Sequence, residues 1–147
     1  MEERIKTGED IVFCREMIKR EYPNRDKITV SEADITFENR MSISLGGITC
    51  ELIHCGGPHS EDSVVCYIPE EKVLFLGDSN CKDLYGKPWD FDIEREEDFL
   101  ENVGKIPYDE KLVEDFIVLL ETLDFTHCIS GHSEIMTKKE LFESLSL

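Results

Sequence analysis

Two short apolar runs between residues 63 and 77 constrain the fold more than any other feature. Ser63-Val64-Val65-Cys66-Tyr67-Ile68 is joined to Lys72-Val73-Leu74-Phe75-Leu76-Gly77 by Pro69-Glu70-Glu71. Runs rich in β-branched and aromatic residues, separated by a short turn segment, read as a hairpin. Val73-Leu74-Phe75-Leu76 shows no polar alternation, so it reads as a strand buried on both faces.

Other elements are arranged around this hairpin. Ile11, Cys14, Met17 and Ile18 fall at helical spacing and predict a helix over 8–21, stopped by Pro23. Short β-like pieces follow at 27–30, 34–37 and 41–45. In the last, Met41, Ile43 and Leu45 alternate with Ser42 and Ser44, which gives one wet face. Gly46-Gly47 makes a turn into a strand over 48–55. Beyond the hairpin, 80–92 reads as a loop carrying Gly86, Pro88 and the single tryptophan, Trp89. An acidic helix is expected over 94–103. A longer one is expected over 109–123, with Leu112, Phe116, Leu120 and Leu123 on one stripe and Val113 and Ile117 beside it. A strand over 126–130 follows, and Thr137-Lys138-Lys139-Glu140 forms a capping box that opens the last helix. The order helix, strands, helix, strand, helix predicts an α+β fold with a mixed sheet layered by helices.

The 147 residues fit one domain, spanning 1–147. Asp and Glu number 33 against 16 Lys and Arg, a net charge of −17. A surface of that sign repels phosphate backbones and anionic headgroups, so nucleic acid and membranes are not expected partners. No apolar run reaches the length of a membrane span, and the acidic opening Met1-Glu2-Glu3-Arg4 is unlike a secretory signal. The expected setting is cytoplasmic. The six cysteines form no C-x-x-C pair, and reduced, buried thiols are the expectation for them.

Chemistry is concentrated where strands end. His59 follows the strand ending at Cys55, Asp78 follows Leu76-Gly77, and His132 follows Ser130-Gly131. Each is a metal-capable side chain near glycine, just past an apolar strand. Loops at strand ends gather at one rim of a layered fold, where sites are built. Two imidazoles and a carboxylate suit zinc with an open water position, or iron(II). Taken singly, each has a plainer reading: a lone loop histidine is usually not a ligand, and Asp78 would also serve as a turn or N-cap residue. Cys81 could add a thiolate but reads more simply as a loop or buried thiol. His54 and His127 lie within strands and read as partly buried, hydrogen-bonded residues. The acidic run from Asp90 to Glu101 reads as a solvated face.

Glu51-Leu52-Ile53-His54-Cys55-Gly56-Gly57-Pro58-His59-Ser60, followed by the hairpin ending in Gly77-Asp78 and later by Ser130-Gly131-His132, resembles the metallo-β-lactamase superfamily. The resemblance covers roughly residues 8–145. It implies the layered half of an αββα sandwich, a mixed sheet with helices on one face. It also implies that His59 ligates a first metal, that Asp78 bridges two metals and is the catalytic residue, and that His132 ligates the second. The implied cofactor is zinc, as one or two ions, with iron or manganese as alternatives. The implied activity is metal-dependent hydrolysis of a small-molecule ester, thioester, amide or phosphoester.

The first metal motif of that family, H-x-H-x-D-H, has no counterpart here, since no two histidines stand two apart. The likeness is to the C-terminal portion of the family. Three candidate ligands do not saturate two zinc ions. A half-sandwich also leaves an apolar sheet face uncovered, which predicts a homodimer or a complementing N-terminal chain. The alternative to a hydrolase is a non-catalytic, self-associating module, or one half of a split enzyme.

Overall fold

The computed structural model describes residue 29, residues 31–82 and residues 108–145. Internal contacts divide the chain into two units, Met1–Thr36 with Leu84–Pro107, and Phe37–Asp83 with Tyr108–Leu147. All regular elements below belong to the second. The helices expected over 8–21 and 94–103, the acidic run and Trp89 lie outside the described residues, as does the strand expected over 27–30 apart from Thr29, which is exposed and in no strand.

Six strands form one sheet in the order β1-β2-β3-β4-β5-β6. They are β1 (Arg40–Ser44), β2 (Thr49–His54), β3 (Val64–Ile68), β4 (Val73–Gly77), β5 (His127–Ser130) and β6 (Met136–Thr137). Among the described residues two helices accompany them, α1 (Glu110–Glu121) between β4 and β5, and α2 (Lys138–Leu145) after β6. β1 to β4 are an antiparallel meander, β5 pairs parallel to β4, and β6 pairs antiparallel to β5. The architecture is the expected α+β, mixed-sheet one. The two-residue β6 has no signature in the sequence. The expected strand at 34–37 is absent: Asp34 and Ile35 form a bend, and Ile35 is 71% exposed.

Side-chain parity sorts the sheet into two faces. Ile53, Val65, Tyr67, Leu74, Leu76 and Cys128 point to one side and join Val113, Phe116 and Leu120 of α1 and Leu141 and Leu145 of α2 in one core. The apolar stripe read over 109–123 is therefore the stripe α1 buries. Asp109 caps α1, its carboxylate accepting from the backbone of Lys111 and Leu112. The α2 capping box is formed in both directions: Glu140 N–H donates to Thr137 Oγ1 at 3.2 Å, and Thr137 N–H to Glu140 Oε2 at 2.7 Å.

The other face is only partly covered. Phe75 is 41% exposed, Ile43 39% and Val64 37%. This corrects the expectation that β4 is buried on both faces: its pattern alternates, with Leu74 and Leu76 inside and Phe75 outward. Among the described residues, the helices pack on the Leu74 and Leu76 side, and Phe75 faces away from them. Among the described residues, no helix is long and apolar enough to cross a membrane.

Candidate metal centre

Because β4 and β5 run parallel, their carboxyl ends reach the same rim. The ladder is irregular between Phe75 and Gly77, where Gly77 comes opposite Ser130. Gly77 has φ of 54°, a left-handed conformation that turns the chain sharply out of the strand. Asp78 is the next residue. On the neighbouring strand, Gly131 N–H donates to the Gly77 carbonyl at 2.7 Å, which brings the two strand ends together before His132 departs.

The result is a pair: His132 Nε2 stands 3.3 Å from Asp78 Oδ1. Gly131 makes this approach possible, since a Cβ there would overlap Asp78 Oδ1. The pair is open to solvent, with side-chain exposure of 75% for His132 and 42% for Asp78.

His59 arrives from the loop after β2. Its Nδ1 lies 3.0 Å from the Lys82 carbonyl. A carbonyl only accepts, so Nδ1 carries the proton and, in the neutral ring, the lone pair is on Nε2. Backbone orientation of this kind is how metal-binding imidazoles are commonly held. Lys82 ends the turn that begins at Asp78, in which Cys81 N–H donates to the Asp78 carbonyl at 2.7 Å. His59 thus docks on the turn that carries Asp78. Among the described residues, however, no group of three or more His, Cys, Asp or Glu side chains is arranged to hold a metal ion. The structure brings Asp78 and His132 together and keeps His59 outside that pair.

A polar network ties down the turn that carries Asp78. Ser130 Oγ donates to Asn80 Oδ1 at 3.1 Å, and Tyr108 Oη donates to the Asn80 carbonyl at 2.9 Å. Asn80 therefore links β5, the segment before α1 and the turn bearing Asp78. Nothing in the sequence distinguished Asn80 or Tyr108, and Ser130 stood out only within Ser130-Gly131-His132, because their bracing roles depend on contacts between distant segments. Cys81 sits beside Asp78; burial first, then that carboxylate, raises its thiol pKa and keeps it protonated at neutral pH. Burial likewise raises the Tyr108 phenol. His54 and His127 are exposed rather than partly buried. His54 Nε2 meets the Glu61 carbonyl at 2.7 Å, and His127 Nδ1 the Thr126 hydroxyl at 3.0 Å.

No protein-family model matches the sequence, and no curated protein matches it. Solved structures do. A metallo-β-lactamase from Pontibacter korlensis is similar at 24% identity and a TM-score of 0.54, over 89% of this chain and 53% of that one. A flavo di-iron protein variant from Thermotoga maritima is similar at 18% identity and a TM-score of 0.52, over 88% of this chain and 33% of that one. A chemotaxis sensor, ODP, in a peroxy diiron state is similar at 22% identity and a TM-score of 0.50, over 72% of this chain and 47% of that one. The chain has the metallo-β-lactamase-superfamily fold. It spans about half the length of the matched metallo-β-lactamase and about a third of the flavo di-iron protein.

Proposed function

We propose that this chain carries the metal-binding rim of a metal-dependent hydrolase of the metallo-β-lactamase type, with Asp78, His132 and His59 as its ligands. The observation that supports this reading is the Asp78–His132 pair on the parallel strand ends. Its 3.3 Å separation is long for an N–H···O bond, and two ligands about 2.0–2.1 Å from a tetrahedral ion stand about 3.3 Å apart. The donor set fits zinc, with iron or manganese as alternatives in a superfamily fold that includes diiron proteins. When bound, such an ion lowers the pKa of water toward about 7 and polarises an ester, thioester, amide or phosphoester. The chain's own residues set the geometry. Gly131 leaves room for the Asp78 carboxylate, the Lys82 carbonyl selects the His59 tautomer, and the Ser130–Asn80 hydrogen bond braces the turn.

A second reading is a fold retained without turnover: no two histidines stand two apart, so H-x-H-x-D-H has no counterpart in the sequence. The two readings separate in one experiment. The protein is purified without added metal, titrated with zinc and assayed on an activated ester. The hydrolase reading predicts zinc binding that Asp78→Ala and His132→Ala both abolish, together with ester turnover lost in Asp78→Ala. Less than about a tenth of an equivalent bound, unchanged in His59→Ala, defeats the metal-site reading. Zinc bound without turnover selects the non-catalytic one.

A further inference from the structure

The sequence gives no reason to pair any two of the six cysteines, yet the fold pairs two of them. Cys50 Sγ on β2 and Cys66 Sγ on β3 lie 3.1 Å apart, although the residues are sixteen apart in the chain. The strands' register puts Leu52 opposite Cys66, so Cys50 sits one diagonal step away on the same face. That face is opposite the helices. Cys50 is buried, whereas Cys66 is partly exposed and lies opposite Phe75, itself 41% exposed. Cys55 is much nearer to Cys50 in sequence, but its thiol is directed to the Ser63 carbonyl at 3.2 Å. Cys128 points into the core on the other face, and Cys81 stands on the turn after β4.

We propose that Cys50 and Cys66 form a reversible cross-strand disulfide when the folded protein meets a low-molecular-weight disulfide such as oxidised glutathione. The Cys66 thiolate, the more accessible of the two, attacks one glutathione sulfur. The glutathione S–S bond breaks, and one glutathione thiolate leaves and is protonated. Cys50, after losing its proton, attacks the Cys66 sulfur of the mixed disulfide and expels the second glutathione. The two protein thiols are oxidised by two electrons, one glutathione disulfide is reduced, and the two protons end on two glutathione thiols. Burial, reinforced by Cys50 itself, pushes the Cys66 thiol up to about 11, so the thiolate is scarce at neutral pH and the exchange is slow. The bridge would tie β2 to β3 and close the 55–63 connection that carries His59. This inference stands apart from the metal-site reading, because neither thiol belongs to the rim.

The test is peptide mapping. Full-length protein is held with oxidised glutathione in native buffer, quenched with acid, alkylated and digested after glutamate without reduction. Cleavage after Glu51 and Glu61 places Cys50, Cys55 and Cys66 on three different peptides. The expected product is a Cys50–Cys66 linked pair, with an intact mass lower by about 2 Da that dithiothreitol restores. Cys50→Ser is expected to stop at a stable glutathione adduct on Cys66. The same treatment of urea-unfolded chain is expected to favour the shorter loops, Cys50–Cys55 and Cys55–Cys66. If native protein yields those short-loop pairs, or mixed disulfides alone, the proposal is overturned. The wild-type map decides this even if the variant does not fold.

Discussion

The two faces of the sheet carry comparable apolar residues and treat them differently. On the helix side, Val65, Leu74, Leu76 and Cys128 are fully buried against Phe116, Val113, Leu120, Leu141 and Leu145. On the other side, Ile43, Val64 and Phe75 keep more than a third of their surface in water. Leu74 and Phe75 are adjacent in sequence and fall on either side of this divide. Apolar character alone therefore does not locate the core; what is packed over a face decides how much each side chain contributes.

The sharpest way to break this contrast is a pair of truncations on β4. Leu74→Ala should lower unfolding free energy by about 3 kcal/mol, through lost transfer energy plus a cavity that α1 cannot close. Phe75→Ala, despite the larger side chain, should cost about 1 kcal/mol because much of the ring is already hydrated. Urea denaturation of both variants checks this, and equal costs would mean that the outer face is covered in solution.

The core face also supports the rim, which a smaller change can probe. Gly131→Ala forces a methyl into the space taken by Asp78 Oδ1. We expect a stability loss of about 1–2 kcal/mol and zinc affinity about 10- to 100-fold weaker than wild type. Calorimetric titration separates the two effects.

The smallest effect concerns α2, which closes the core. Backbone and hydroxyl hydrogen bonds from Thr137 lower the Glu140 carboxyl below its usual value of 4.5. A carboxyl depressed by folding adds stability above its unfolded pKa, and that stability is lost as pH falls through the lower folded value. Glu140→Gln should therefore lower the melting temperature at pH 7 and narrow its gap from wild type as pH falls below about 4. A gap that stays constant with pH would show that the carboxylate charge contributes nothing.

Much of this was legible from residues alone, where local patterns dominate. The β3–β4 hairpin, the α1 stripe, the Thr137–Glu140 cap and the Gly46-Gly47 turn are short-range features, and the structure has all four. The misses share one cause. The missing strand at 34–37, the outward Phe75, the two-residue β6 and the exposure of His54 and His127 depend on which distant segments are packed nearby. So does the bracing by Asn80, Ser130 and Tyr108. Of the candidate site, the approach of Asp78 to His132 was anticipated by their positions after strands and beside glycine. The docking of His59 onto the Lys82 carbonyl is a tertiary contact between segments 23 residues apart, with no local trace.

The central claim is that the paired strand ends form a cation-binding rim. Its most direct test is zinc stoichiometry by elemental analysis after dialysis, on wild type and on Asp78→Ala with His132→Ala. The account predicts about one equivalent or more on wild type and almost none on the double variant, with both proteins folded by circular dichroism. Equal zinc content in the two folded proteins would contradict it.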